Sequence, residues 1–192
     1  MNFFMVFFKI CDIINFRMKG GEKMKIEENR LNDQENYEII VNKLNQRGVD
    51  LKDIASLVVD LQKPYLPNLK FEDALEHVKK VIMKREVQNA ALVGIELDIL
   101  AEKKIISEPL LSKLVNDEGL FGVDEVLALA IVNVYGSIGF TNFGYVDKIK
   151  PGIIGELDKR GKETDECHTF LDDIIGAIAA AAASSLAHRF SK

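Results

Sequence analysis

Residues 167–188 read CHTFLDDIIGAIAAAAASSLAH, and from residue 174 to residue 187 the run carries no charge. Alanine has the highest helix propensity and a short side chain, so the run predicts a helix that neighbours can approach closely on several sides. That is the profile of the central helix of a bundle. A run of this length spans roughly 21 Å at about 1.5 Å per residue, short of the roughly 30 Å hydrocarbon layer, so a membrane span is the poorer reading. The adjacent acids Asp172 and Asp173 precede the run. With a helix start near Thr169 they fall in the first turn, where the dipole favours negative charge. Helix capping therefore accounts for them as readily as a site does. Adjacent residues cannot share one helix face, which sets one of the two acids towards apolar neighbours.

The 192-residue chain, 47% hydrophobic, is large enough to bury a core and fits one domain better than two. A formal charge of −5 without a basic run argues against a nucleic-acid surface. The two cysteines, Cys11 and Cys167, have no CxxC spacing, which points to a reducing, cytoplasmic setting rather than a disulfide framework or zinc module. Residues 1–35 differ from the rest and are expected to be an extension, disordered or not native, ahead of a helical domain over residues 36–192. The apolar stretch at residues 3–8 is too short for a span and lacks the features of a signal peptide. Lys19-Gly20-Gly21-Glu22-Lys23 before Met24 fits purine-rich codons with a ribosome-binding sequence, so Met24 is an alternative start.

The expected fold is all-α, a multi-helix bundle around the Ala-rich helix, with no sheet. Residues 26–35 read as a frayed, polar lead-in. Tyr37, Ile40, Val41 and Leu44 recur at helical spacing up to Gly48, and Asp50 caps a second helix carrying Leu51, Ile54, Leu57, Val58 and Leu61. Phe71, Leu75, Val78 and Ile82 mark a third helix, on which His77, among Glu and Lys, is expected at the solvated surface. Ser107 is expected to cap a short helix through Leu114, before a turn at residues 116–119. Gly136 and Gly139 are expected to break the chain after the apolar helix at residues 126–134, leaving residues 142–145 as a turn or short helix. Residues 155–166 read as a charged connection.

Two further stretches set polar groups against apolar ones. In residues 85–98, Gln88, Asn89 and Glu96 lack the Lys pairing of a solvated face. Arg85, Asn89 and Glu96 can lie along one side, making Arg85 and Asn89 candidates to bind substrate and Glu96 a candidate metal ligand. A helix with one wet side explains the pattern equally well. Asp124-Glu125 opens the other strongly apolar helix, so two acid pairs head the two most apolar helices. The repetition suggests carboxylates gathered at one end of a bundle.

From about Tyr37 to His188 the chain resembles the phosphatidylglycerophosphatase A family, most closely its soluble branch, which includes the low-temperature-requirement C proteins. Three motifs carry the resemblance: Asp124-Glu125 inside an apolar helix, the element Phe143, Asp147, Lys150 and Pro151, and Asp172-Asp173 with Gly176 heading a small-residue helix. The Gly-Thr-Pro-rich opening motif and apolar spans of the membrane-bound members are absent, Ala128 stands near a usual Gly, and a second Pro after Lys150 is missing. The resemblance implies Mg²⁺-dependent hydrolysis of a phosphate monoester, phosphatidylglycerophosphate to phosphatidylglycerol, in phospholipid synthesis. Asp124, Glu125, Asp147, Asp172, Asp173 and Glu96 are then the candidate metal ligands, since Mg²⁺ takes hard oxygen donors. Asp124, Asp172, Asp173 and Lys150 are the candidate catalytic residues, with Lys150 also holding a phosphate oxygen. Cysteine-phosphatase chemistry needs Arg six residues after its Cys, where this chain has Asp173. Cys167-His168 could suggest a transition metal, but the other candidate ligands are all oxygen.

Implied partners are a phosphorylated lipid or small phosphate ester, peripheral contact with a membrane, and further copies of the chain, because the lipid-facing surface of membrane-bound relatives has no lipid here. One alternative is a non-catalytic regulatory protein, linked to growth at low temperature, that binds metal or lipid phosphate. Another is an interaction module whose acids only cap helices. If the acids converge, either Asp172→Asn or Asp173→Asn is expected to spare the metal-free fold and remove its response to Mg²⁺.

Overall fold

The structure, a computed structural model, describes residues 32–190. Among these residues nine α-helices and one 3₁₀ turn form the fold, and no strand occurs. In chain order the helices are α1 (Asp33–Gln46), α2 (Leu51–Gln62), α3 (Phe71–Ile82), α4 (Arg85–Glu102), α5 (Leu110–Val115), α6 (Val123–Val132), α7 (Ser137–Ile149), α8 (Ile153–Glu163) and α9 (Leu171–Phe190). Every residue from 167 to 184 is buried, and α9 packs against α2, α3, α4, α6, α7 and α8. The Ala-rich helix is the centre of an all-α bundle because its short side chains let six neighbours pack around it. Among the described residues no helix is long and apolar enough to cross a membrane.

Several local expectations needed correction. Residues 32–35 are no frayed lead-in: the Asn32 side chain accepts the Gln34 and Glu35 N–H groups at 3.0 and 2.9 Å, and Glu35 accepts the Asn32 N–H at 2.7 Å. This capping box starts α1. The rest of the expected extension, including Cys11 and Met24, lies outside the described residues. Asp50 does cap α2, but Ser107 does not cap α5. The Glu108 carboxylate instead accepts the backbone N–H and hydroxyl of Ser112 at 3.1 and 2.6 Å.

Gly136, at φ 72°, breaks the chain, whereas Gly139 lies inside α7. A Cβ on Gly139 would meet the Val132 carbonyl oxygen at 2.9 Å, so this glycine serves packing rather than a break. The charged connection is helical over α8, because Ile153, Ile154 and Leu157 alone suffice for a buried stripe. His77 is 4% exposed, and its Nδ1 lies 2.9 Å from the Ser185 hydroxyl. It shares the inner face of α3 with Ala74, Val78 and Val81, despite its charged sequence neighbours.

The approach of α4 to α9 is tightest at Gly94. A Cβ there would overlap Ile174 Cδ1 and lie 3.0 Å from Phe170 Cβ, both in residues without solvent exposure. Ala in place of Gly in a helix normally gains about 1 kcal/mol, but overpacking a closed core costs about 1–3 kcal/mol. Gly94→Ala is therefore expected to lower the thermal midpoint, measured by circular dichroism. An unchanged or raised midpoint would mean that α4 and α9 are not in contact at this position.

Candidate functional site

Three helix ends converge on one cleft. The first turn of α6 brings Asp124 and Glu125, the end of α7 brings Asp147 and Lys150, and the first turn of α9 brings Asp172 and Asp173. The cleft has a volume of about 130 Å³ and is also lined by Asp117, Glu118, Gly119 and Thr169. Among the described residues that line it, Lys150 is the one cation against seven acids. Lys150 ends α7 in the left-handed conformation, at φ 47°, and its N–H donates to the Val146 carbonyl at 2.7 Å. That conformation costs a non-glycine residue about 1–2 kcal/mol, and here it occurs at the residue whose ammonium group bonds the acids. Lys150 Nζ lies 2.6 Å from Asp172 Oδ2, 3.8 Å from Asp147 and 3.9 Å from Asp158.

Beside this ion pair, carboxylate oxygens of Asp124, Glu125 and Asp173 lie within 4.8 Å of one another. Asp124 Oδ1 and Glu125 Oε2 are buried without a hydrogen-bond partner. Buried, unpartnered carboxylate oxygens are costly unless a cation meets them. These are hard oxygen donors lining the cleft, and they fit an ion such as Mg²⁺, which keeps several waters alongside its carboxylate ligands.

Burial drives the electrostatics. It pushes Asp173 up to about 8, reinforced by the charges of Asp172, Asp147 and Asp124. Burial, with Glu125 alongside, raises Asp124 to about 7. Asp172 is raised only to about 6, because Lys150 opposes its burial. Lys150 is raised although burial alone would lower it: the Asp172 charge and hydrogen bond, then Asp173 and Asp147, outweigh desolvation. Both acids of the α9 pair are 6% exposed, so each is buried, not one alone as expected.

The segment leading into α9 is held by distant residues. The Asp98 carboxylate of α4 accepts the Leu171 N–H at 2.9 Å and the Phe170 N–H at 3.2 Å. Burial raises Asp98 to about 8, with those two N–H bonds opposing. The Thr169 hydroxyl donates to the Leu114 carbonyl at 2.6 Å. Glu102 accepts the Cys167 N–H at 2.8 Å and pairs with Arg47 at 2.6 Å. Arg47 also meets His168 Nδ1 at 3.0 Å, and Glu166 meets His168 Nε2 at 2.8 Å. Since Arg only donates, Nδ1 accepts and Nε2 carries the hydrogen, in line with a His168 pKa lowered by burial. Both ring nitrogens are thus occupied, and burial pushes the Cys167 thiol up to about 11. Neither residue is free to ligate a transition metal. A second cavity, of about 280 Å³, adjoins the cleft through Asp117, Thr169 and Asp172.

The structure brings together Asp124, Glu125, Asp147, Lys150, Asp172 and Asp173, and it does not add Glu96, Asn89 or Arg85. Glu96 and Arg85 are exposed and pair with Lys43 at 2.8 Å and Asp33 at 3.1 Å, and Asn89 is exposed. The polar positions of α4 that face inward are Gln88 and Asp98. The sequence reading overlooked Asp98, Asp117 and Asp158. Asp117, at φ 48°, belongs to a turn whose signal gives no direction, and Asp158 falls in the segment read as a connection.

A family model described as Phosphatidylglycerophosphatase A matches residues 43–188. Uncharacterized protein YutG of Bacillus subtilis is 61% identical over 147 residues, covering 77% of this chain and 87% of YutG. Uncharacterized protein YpjQ of the same organism is 54% identical over 154 residues, covering 80% of this chain and 85% of YpjQ. The crystal structure of low temperature requirement C protein from Listeria monocytogenes superposes with a TM-score of 0.79 at 54% identity, covering 82% of this chain and 98% of that one.

An Asp whose folded pKa is raised binds its proton more tightly in the folded state. The associated stability is complete below the unfolded value of 3.8 and is lost as pH rises through the folded values of about 7 for Asp124 and about 8 for Asp173. Metal-free protein is therefore expected to lose stability between pH 4 and 8, and Asp173→Asn to lose less of it. Asp172 differs from Asp173, because removing its charge strands Lys150. Melting curves from pH 4 to 8 in chelator test this, and an Asp173→Asn midpoint below wild type at pH 8 would refute it.

Proposed function

The chain belongs to the phosphatidylglycerophosphatase A family, and from that premise we propose that it is a metal-dependent hydrolase of a phosphate monoester, with Mg²⁺ as metal and phosphatidylglycerophosphate as substrate. The observation that carries this reading is the pair of buried, unpartnered oxygens of Asp124 and Glu125 within reach of Asp173. Asp124, Glu125 and Asp173 would hold the ion. When bound, Mg²⁺ would neutralise phosphate charge and lower the pKa of water. Lys150 is set to hold a phosphate oxygen as a point charge, and Asp172 keeps that ammonium charged and oriented. Asp172 itself, with a pKa of about 6, is suited to take the proton of the attacking water and to return it to the leaving ester oxygen as the P–O bond breaks.

Phosphate release from phosphatidylglycerophosphate in mixed micelles and from water-soluble monoesters, each with Mg²⁺ and with chelator, tests the reading. We expect Mg²⁺-dependent release, lost in Asp173→Asn by more than the roughly 10–100-fold that follows removal of a supporting residue. Metal-linked stabilisation without turnover of any ester would favour the regulatory alternative, and no metal-linked stabilisation at all would favour acids that only cap helices.

The proposed partner surface is drawn from the two helices that bring Asp124, Glu125, Asp147 and Lys150 to the cleft. Val123 and Val126 on α6 and Tyr145 and Ile149 on α7 are 47, 61, 58 and 57% exposed. We propose that a second copy covers this apolar surface. Val126→Glu is then expected to shift the sedimentation coefficient towards monomer. A monomeric wild type that sediments with phospholipid vesicles would assign the surface to a membrane instead.

A further inference from the structure

Asp98 lies on α4 and takes no part in the chemistry proposed above. Its side chain is fully buried, and the groups it bonds all belong to the residues just ahead of the acid pair. These are the Leu171 N–H at 2.9 Å, the Phe170 N–H at 3.2 Å to one oxygen and 3.3 Å to the other, and the Cys167 thiol at 3.6 Å. Helix α9 thus begins on a carboxylate supplied from 73 residues earlier in the chain. Arg47 acts on that carboxylate only through space. Burying an acid without a bonded cation is costly, whereas a Ser, Thr, Asp or Asn in the segment itself satisfies the same N–H groups without that cost. Thr169 is nearby, yet its hydroxyl goes to the Leu114 carbonyl. Helix stability alone therefore gives no reason for Asp98.

A remote carboxylate adds position. A cap within the segment moves with its helix, but one anchored in α4 fixes the end of α9 relative to the bundle. The same face of α4 carries Gly94 four residues earlier, and Gly94 is where α4 meets Phe170 and Ile174. Gly94 gives the room and Asp98 the bonds, so together they form one seat for the first turn of α9. We propose that Asp98 is a positioning residue of the cation site: by holding the Phe170 and Leu171 N–H groups it sets the height and rotation of the first turn, keeping Asp173 within reach of Asp124 and Glu125 and Asp172 on Lys150. The inference rests on the reading of these acids as a cation site.

Asp98→Asn keeps the shape of the side chain but sets an amide NH₂ against a backbone N–H. Glu102→Gln is the control, because Glu102 supports the same segment at Cys167 without touching the first-turn amides. Dissociation constants for Mn²⁺ alone, titrated on the full chain well below every melting midpoint, are expected to weaken about 10- to 100-fold in Asp98→Asn. Glu102→Gln is expected to keep the wild-type constant even where its midpoint falls. A purely structural cap would lower the Asp98→Asn midpoint and leave its constant unchanged, which would overturn the inference while leaving the metal reading intact. A wild type that binds no divalent cation would overturn both. Should Asp98→Asn fail to fold, amide hydrogen exchange on the wild type decides. Saturating Mg²⁺ is expected to slow exchange at Leu171, and an unchanged rate there would refute the positioning role.

Discussion

The structure depends on a conflict between burial and charge at the start of α9. The helix must be buried on all sides for the bundle to close, yet its first turn carries two acids that are each 6% exposed. Like charges in a desolvated site raise one another's pKa, and Asp173 shows the result, pushed up to about 8 by burial and then by Asp172, Asp147 and Asp124. The favourable dipole of one helix end is worth about 0.3–1 kcal/mol at exposed sites and up to about 2 kcal/mol when partly buried. A shift of this size is about 1.4 kcal/mol for each pKa unit, so the dipole alone does not offset it. A proton or a cation must relieve it, and among the described residues Lys150 bonds Asp172 of the pair.

Lys150 divides the cleft into two halves. On one side an ammonium group lies within 4 Å of Asp147, Asp158 and Asp172. On the other, Asp124, Glu125 and Asp173 face one another with no basic group bonded to them among the described residues. A second lysine would have stabilised the fold more simply, and its absence leaves a gap in charge where hard oxygens converge. The asymmetry also separates two neighbours that the sequence treats alike. Among the described residues a cation bonds Asp172 directly, whereas Asp173 feels Lys150 only through space.

Much of this was legible in the sequence. The uncharged Ala run fixed the central helix, because nothing else in the chain combines such propensity with so narrow a radius. The two acid pairs heading apolar helices placed both sides of the cleft, since apolar helices must meet and their first turns carry the acids along. Direction around a helix was harder to read. On α4, Asn89 and Glu96 looked inward because no Lys stands near them in sequence, but Glu96 finds Lys43 on α1. Pairing across helices leaves no local trace. His77 misled for the opposite reason: charged sequence neighbours say little about one position when the buried stripe of α3 passes through it. Asp117 and Asp158 were missed because turn and connection signals predict where the chain bends and not what a bend approaches.

Asp98 shows why the remaining part of the site could not have been read this way. The N–H groups at a helix start must be satisfied, and sequence rules look for their partner within a few residues. Here the nearest candidate, Thr169, is committed to the Leu114 carbonyl, and the partner comes from α4. A cap supplied from afar does two things at once: it satisfies two donors, and it transmits the packing of α4 on α9 to the residues immediately following. Those residues are Asp172 and Asp173. Since metal ligation tolerates only tenths of an ångström in ligand position, a helix end fixed to its neighbour is a better platform for a ligand than one free to slide along its own axis. The burial that makes Asp98 costly also shields its hydrogen bonds from water, which strengthens them electrostatically.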